Sequence, residues 1–208
     1  MMNKPLHAGT ADITGAILAG GQGRRMGGVD KGLILFEGRP LIEHVLALLE
    51  PQVSNILISA NRNQERYARY GFPVVSDDHS GFAGPLAGFA ALLKQCPSDW
   101  LVVVPCDAPR LPADLVSRLA QARNDANADI AVAHDGARLQ PVHVLLGRHL
   151  LPSLEAYLDA GERKIALWYR QHQVVEVDFS DCAEAFANLN APEDHQQLSS
   201  RASAYKLP

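Results

Sequence analysis

The sequence predicts an α/β fold, a Rossmann-like three-layer α/β/α arrangement around a mostly parallel and partly mixed central sheet. Short apolar runs alternate along the first half of the chain with segments whose apolar residues recur every three or four positions. This alternation is typical of a parallel sheet covered by helices on both faces. In the second half, Asp135-Gly136 separates two apolar runs, which predicts a hairpin and therefore some antiparallel pairing.

Each predicted strand is a short run of mostly apolar residues, many of them Val, Ile and Leu, bounded by polar or turn-forming residues. The runs lie at residues 13–18, 55–59, 73–76, 100–105, 130–134, 139–146 and 174–179.

Helical periodicity predicts a covering helix after most of these strands. The helical segments lie at residues 41–49, 64–70, 85–95, 112–123, 149–160 and 163–172. Pro112 stands at a plausible first helical position, where its missing N–H is not needed. A last helix is predicted from Asn190, because Glu193 follows at capping-box spacing.

Length and composition fit one globular domain over residues 1–208. With 47% apolar residues the chain can bury a large core, and a net charge of −4 excludes the bulk basic field that holds nucleic acid. No apolar stretch approaches eighteen residues and the start lacks a signal-peptide core, so we expect no membrane contact and a cytoplasmic location. Cys96, Cys106 and Cys182 lack Cys-x-x-Cys spacing, so we expect reduced, mostly buried thiols.

A glycine-rich loop follows the first predicted strand. Residues 18–31 read Leu-Ala-Gly-Gly-Gln-Gly-Arg-Arg-Met-Gly-Gly-Val-Asp-Lys. Glycines let backbone N–H groups approach phosphate oxygens and turn toward one anion. Arg24, Arg25 and Lys31 add positive charge, and arginine can bind two phosphate oxygens at once. The loop therefore predicts a polyphosphate site.

The two commoner phosphate loops do not match this segment. A P-loop requires Gly-Lys followed by Ser or Thr, whereas Lys31 stands between Asp30 and Gly32. The dinucleotide fingerprint begins well at Gly21, but its third glycine falls on Met26.

Two aspartates follow predicted strands, at the edge of the sheet where ligands gather. Asp107 beside a triphosphate is best explained as a Mg²⁺ ligand, because Mg²⁺ prefers one or two carboxylates with phosphate oxygens and water. The alternative is an Asx-turn before Pro109. Asp77 follows the strand predicted at residues 73–76, and Asp78 beside it is the competing candidate for a ligand contact.

The string Leu-Ala-Gly-Gly-x-Gly-x-Arg-Met-Gly, followed by Asp-Lys, resembles the signature of nucleotidyltransferases that move NMP from an NTP to a phosphate-bearing acceptor. The full string resembles that of molybdenum cofactor guanylyltransferases of the MobA type, and the likeness extends from Ile13 to about Asp194. The resemblance implies transfer of GMP from GTP to the phosphate of Mo-molybdopterin, with Mg²⁺ as cofactor. It also implies one nucleotidyltransferase domain, whose N-terminal half binds nucleotide and whose C-terminal half binds acceptor.

The resemblance also assigns residues to roles. Catalysis is expected from Arg25, Lys31 and Asp107, with Asp107 as metal ligand, since Pro-Cys-Asp-x-Pro resembles the family's metal-binding segment. The residues expected to bind GTP are Leu18, Ala19, Gly20, Gly21, Lys31, Asp77 and Asp107. The residues expected to bind the acceptor, each with a solvated surface pair or a cap as its alternative, are Gly84, Gly88, Arg138, His143, Arg163, Lys164, Asn188 and Asn190. Ser59 departs from the asparagine common in relatives, so no role is assigned to it.

Two other functions remain open. A cytidylyltransferase acting on the same pterin or on a sugar-like phosphate would share the fold, but its branch carries Ala-Ala-Gly where this chain has Ala19-Gly20-Gly21. A non-enzymatic GTP-binding or cofactor-carrier protein would need the loop but no metal-binding Asp107. Beyond GTP and Mo-molybdopterin, the resemblance implies transient contacts with molybdenum-insertion proteins and molybdoenzyme chaperones.

Overall fold

A computed structural model of the protein describes residues 12–19, 30–77 and 84–187. The strands of this part of the chain are β1 (Ile13–Leu18), β2 (Leu35–Phe36), β3 (Arg39–Pro40), β4 (Asn55–Ser59), β5 (Val74–Val75), β6 (Trp100–Pro105), β7 (Ile130–His134), β8 (Leu139–Gly147) and β9 (Val174–Asp178). The α-helices are α1 (Leu41–Leu49), α2 (Gln64–Ala68), α3 (Pro85–Gln95), α4 (Leu115–Ala126), α5 (Leu151–Asp159) and α6 (Ile165–Tyr169). Short 3-10 helices lie at Lys31–Leu33, Glu50–Gln52, Arg148–Leu150 and Ser180–Phe186.

The central sheet has seven strands in the order β5-β4-β1-β6-β8-β7-β9. β1 pairs in parallel with β4 and β6, β4 with β5, and β7 with β9. β8 is antiparallel to both β6 and β7, as the predicted hairpin requires. The predicted sheet, mostly parallel and partly mixed, is therefore confirmed.

Helices cover both faces of the sheet. Alternate residues of β6 point to opposite faces, so Val102 packs in a core with α1 and α4 while Val103 packs in a second core with α3 and α5. Burial on both faces explains why the strands read as continuous apolar runs. The three-layer arrangement is confirmed, and one sheet runs through both halves of the chain.

The predicted elements agree closely with the structure where the apolar pattern is strong, and α1 and α3 match to the residue. The predicted start of α4 is wrong. The carbonyl of Pro112 accepts hydrogen bonds from Gln52 and from the N–H of Leu115, which forms a turn and delays the helix to Leu115. The helix predicted from Asn190 lies outside the described residues.

Two other expectations can be compared with the described part of the chain. Cys96 and Cys106 are buried free thiols and Cys182 is a half-buried one, which agrees with the prediction of reduced cysteines. None of the described helices has the length and apolar character needed to cross a bilayer.

Candidate active site

The carboxyl ends of β1, β4, β5 and β6 meet at one edge of the sheet, because these strands are parallel. Backbone hydrogen bonds continue the pairing just beyond the strands. The N–H of Ala19 donates to the carbonyl of Ser59 at 2.9 Å, and that of Cys106 to Leu18 at 3.1 Å. The residues that follow β1, β4, β5 and β6 in the sequence therefore lie along this one edge of the sheet.

Lys31 and Asp107 form an ion pair at this edge. Lys31 Nζ lies 3.1 Å from Asp107 Oδ2, and the two side chains are 33% and 11% exposed. Lys31 begins the 3-10 helix at the end of the glycine-rich loop, and Asp107 lies two residues beyond β6. The fold thus brings two predicted catalytic residues into contact across 76 positions of sequence. A partly buried pair of opposite charges interacts more strongly than an exposed one.

Asp30, the residue before Lys31, is held from the other side by two neutral donors. The Tyr67 hydroxyl donates to Asp30 Oδ1 at 2.5 Å, and Asn63 Nδ2 donates to Asp30 Oδ2 at 2.9 Å. Burial, together with the Asp30 carboxylate, raises the pKa of Tyr67 well above its usual value, so the hydroxyl stays protonated. Neither Tyr67 nor Asn63 is among the predicted site residues. The sequence pattern around Tyr67 indicates only an aromatic residue of the core.

Asp77 is paired with Asn61 at the same edge. Asn61 Nδ2 donates to Asp77 Oδ2 at 2.7 Å, and the N–H of Asp77 donates to Asn61 Oδ1 at 3.0 Å. Asn61 follows β4 by two residues, just as Asp77 follows β5 by two. The rule that selects residues beyond strand ends could therefore have found Asn61 as well. Asp78, the competing candidate, lies outside the described residues.

Gly84 and Gly88 bring the start of α3 over this edge. Gly84 has φ +69°, which favours glycine. A Cβ at Gly88 would lie 2.8 Å from Leu18 Cδ2 and 3.3 Å from Ser59 Oγ, so the helix packs directly on the ends of β1 and β4. The glycine at position 88 thus has a packing role, in addition to the predicted acceptor role.

In the second half, the predicted residues Arg138 and His143 lie in very different surroundings. Arg138 is 77% exposed at the β7–β8 hairpin, with Nε 3.9 Å from Asp135 Oδ2. His143 is only 1% exposed, and its ring packs edge to face on Phe186 with centroids 4.9 Å apart. Among the described residues neither ring nitrogen of His143 has a hydrogen-bond partner. Burial lowers the pKa of His143 to about 3, so the ring is neutral at physiological pH.

Arg163 and Lys164 lie between α5 and α6. Arg163 Nη1 donates to the carbonyls of Leu158 and Glu162 at 2.8 and 2.6 Å, which closes the end of α5. The backbone carbonyl of Lys164 accepts the Tyr157 hydroxyl at 3.0 Å. Both residues are exposed, and α6 is a helix of five residues. Arg163 therefore has a structural role that the sequence does not predict.

The described part of the chain contains no group of three or more His, Cys, Asp or Glu side chains that could hold a metal by itself. A site for Mg²⁺ needs only one or two carboxylates when phosphate oxygens and water complete the coordination, and Asp107 fits that requirement. The other predicted site residues, Gly20, Gly21, Arg25, Asn188 and Asn190, lie outside the described residues.

Known proteins resemble this chain along most of its length. A family model described as a MobA-like NTP transferase domain matches residues 15–175. The molybdenum cofactor guanylyltransferases of Shewanella sediminis and Shewanella loihica are each 54% identical to the chain over 187 residues, covering 90% of it and 95% of the relative. Molybdopterin-guanine dinucleotide biosynthesis protein A from Archaeoglobus fulgidus superposes with a TM-score of 0.77 at 24% identity, covering 92% of this chain and 99% of that one. At that identity the likeness to the solved structure supports the fold alone.

Proposed function

Since this chain belongs to the MobA-like NTP transferase family, we propose that it transfers GMP from GTP to the phosphate of Mo-molybdopterin. The products are molybdopterin guanine dinucleotide and pyrophosphate. The observation that carries the proposal is the contact between Lys31, at the end of the glycine-rich loop, and Asp107, at the end of β6. This contact supports the proposal because a triphosphate needs a cation and its Mg²⁺ needs a carboxylate.

The proposed reaction is a single in-line displacement. An oxygen of the acceptor phosphate forms a bond to the α-phosphorus of GTP, while the bond from that phosphorus to the bridging β-phosphate oxygen breaks. The leaving pyrophosphate takes the electron pair. An anionic phosphate is already a nucleophile, so no general base is needed, and the protein's task is to bring two anions together and stabilise the charge that develops.

The chain's cations hold the donor in this proposal. Arg25, Lys31 and the backbone amides of the loop bind the β- and γ-phosphates, and Leu18, Ala19, Gly20 and Gly21 form the loop's beginning. Asp107 is the residue that would hold Mg²⁺. When bound, Mg²⁺ neutralises charge on the phosphate oxygens.

Guanine is read by Asp77 in this proposal. Asn61 engages the Oδ2 oxygen and backbone N–H of Asp77, which fixes the carboxylate at the sheet edge without engaging Oδ1. A carboxylate held in this way can accept from the N1–H and 2-amino group of guanine, a donor pair that adenine and cytosine do not present.

The acceptor occupies the second half of the chain in this proposal, so the single domain has a nucleotide-binding and an acceptor-binding part. Support comes from the exposed Arg138 guanidinium and from the exposed Arg163–Lys164 pair, both suited to an anionic acceptor. His143 is buried and packs against Phe186. The assigned acceptor-binding set is Gly84, Gly88, Arg138, His143, Arg163, Lys164, Asn188 and Asn190. Molybdenum-insertion proteins and molybdoenzyme chaperones are the proposed transient partners, and the cytoplasm is the proposed location.

The test is to incubate the protein with Mg²⁺, Mo-molybdopterin and each nucleoside triphosphate in turn, and to measure the dinucleotide and pyrophosphate formed. We expect both products with GTP and neither with CTP, ATP or UTP. Turnover with CTP would favour the cytidylyltransferase alternative. GTP binding without metal-dependent release of pyrophosphate would favour the carrier alternative and overturn the proposal.

A further inference from the structure

Tyr67 lies beneath the exit of the glycine-rich loop, on a different element from the residues assigned to the reaction. It belongs to α2 and is fully buried in the core that also contains Cys106. Its hydroxyl donates to Asp30 Oδ1 at 2.5 Å. Asp30 directly precedes Lys31, so this hydrogen bond ties the residue beside the lysine to the protein core.

Asn63 provides a second attachment for the same carboxylate. Its Nδ2 donates to Asp30 Oδ2 at 2.9 Å. Its carbonyl accepts the N–H of Tyr67 at 3.2 Å, which joins the two donors in the first turn of α2. Each oxygen of Asp30 accepts one of these hydrogen bonds, so Tyr67 and Asn63 together hold both the position and the rotation of the carboxylate.

Gly32 follows Lys31, and its lack of a side chain lets the Tyr67 hydroxyl pack against the backbone there. A Cβ at Gly32 would lie 2.6 Å from the Tyr67 hydroxyl oxygen and 3.4 Å from Cys106 Sγ. Cys106 in turn directly precedes Asp107. Tyr67 therefore contacts the residues on both sides of Lys31, at the place where Lys31 Nζ lies 3.1 Å from Asp107.

We propose that Tyr67 and Asn63 are positioning residues, which hold Asp30 so that the ammonium group of Lys31 stands at the end of β6 where the triphosphate binds. The inference rests on the proposed function. It gives Asp30 a defined role too. A free carboxylate there would attract Lys31 and repel a polyanion, whereas one held by two neutral donors is turned toward α2. Small displacements of such groups reduce rate strongly, because electrostatic stabilisation depends on preset geometry.

The first experiment compares two variants that each remove one hydroxyl from neighbouring turns. Tyr67→Phe keeps the buried ring, and we expect it to lower kcat/KM for GTP by about tenfold or more, since it removes a hydrogen bond to a charged group. Tyr70→Phe is the matched control. The Tyr70 hydroxyl is half-buried and bonds Glu43 instead of Asp30, so its loss should leave kcat/KM within about twofold. Equal effects of the two variants would overturn the inference.

A double-mutant cycle with Lys31→Ala separates positioning from general loss of structure. Once the ammonium group is gone there is nothing for Tyr67 to position, so Tyr67→Phe should change the residual kcat/KM by less than about twofold in that background. The same tenfold loss in both backgrounds would contradict the inference. Urea unfolding of each protein identifies effects that arise from destabilisation.

The Asn63→Gly variant and the Kd for GTP complete the test. If Tyr67→Phe does not fold, Asn63→Gly replaces it, because glycine keeps the left-handed φ of +52° while removing the donor to Asp30. For the same four proteins of the double-mutant cycle, the Kd for GTP is also measured in the absence of acceptor. A wild-type protein that makes no guanine dinucleotide contradicts the proposed function, and the Kd cycle then still tests the positioning by itself.

Discussion

Lys31 Nζ lies 3.1 Å from Asp107 Oδ2, which joins the end of the glycine-rich loop to the end of β6. The pair neutralises two charges that the proposed reaction uses separately, one toward phosphate oxygens and the other toward Mg²⁺. The contact also holds the Lys31 ammonium group at the sheet edge, where Asn61 and Asp77 also lie.

The first prediction concerns nucleotide choice. Asp77→Asn should weaken GTP binding by roughly 1.5–3 kcal/mol, or about ten- to a hundredfold, because an amide can direct its N–H toward groups that are themselves donors. The measurement is the Kd for GTP, CTP and ATP by calorimetry. Asp159→Asn, at an exposed position of α5, is the control and should change nothing. Unchanged affinity for GTP, still preferred over CTP and ATP, would remove Asp77 from guanine recognition.

The second prediction concerns the acceptor. Replacing Arg163 and Lys164 together by alanine should raise the KM for Mo-molybdopterin and leave the Kd for GTP within about twofold, since both cations lie outside the loop and sheet edge proposed to bind nucleotide. Lys31→Ala should do the opposite, weakening GTP and sparing the pterin. The division into two sites is wrong if the double variant loses as much GTP affinity as Lys31→Ala does.

The third prediction concerns stability. Arg163→Ala should lower the free energy of unfolding by about 1 kcal/mol, because two carbonyls at the end of α5 lose their donor. Arg170→Ala, at an exposed position after α6, should stay within about 0.5 kcal/mol of wild type. Urea unfolding curves give both values. Equal stability of the two variants would mean that the Arg163 hydrogen bonds contribute nothing.

The fourth prediction concerns pH. Burial lowers the pKa of His143 from 6.5 to about 3, so the folded protein keeps the ring neutral where the unfolded chain protonates it. The contribution to stability is complete above pH 6.5 and is lost as pH falls from there toward 3. This group alone should give a slope of about 1.4 kcal/mol per pH unit within that window. His143→Leu should flatten the slope by that amount between pH 6 and pH 4.5, and an unchanged slope would show that His143 becomes protonated in the folded state.

The sequence predicts the elements that local pattern alone determines. β1, β4 and β6 and helices α1 and α3 match to the residue, because strands buried on both faces and amphipathic helices each leave a periodicity in the chain. The edge of the sheet could be predicted for the same reason, and with it the positions of Asp107 and Asp77 beyond the ends of β6 and β5.

What the sequence does not predict depends on contacts between distant residues. The start of α4 is set by a hydrogen bond from Gln52 to Pro112, sixty positions apart. The Tyr67–Asp30 bond spans 37 positions, and a buried tyrosine on a short helix looks like any core aromatic. The buried ring of His143 packs against Phe186, a contact that no spacing in the sequence indicates.

The fifth prediction tests catalysis against binding, and it uses two variants of Asp107. Asp107→Ala removes the carboxylate that would hold Mg²⁺, and Asp107→Asn keeps its shape while removing its charge. Electrostatic stabilisation acts more on the transition state than on the ground state, so turnover should fall much further than GTP affinity in both.

The decisive measurement is the rate of guanine dinucleotide formation by Asp107→Asn in saturating Mg²⁺ and GTP, beside its Kd for GTP. We expect the rate to fall by about 10²–10³, or roughly 3–4 kcal/mol, while the Kd changes far less. A variant that forms the dinucleotide at near the wild-type rate would contradict the account, because Asp107 would then be a turn residue and the metal would be held elsewhere.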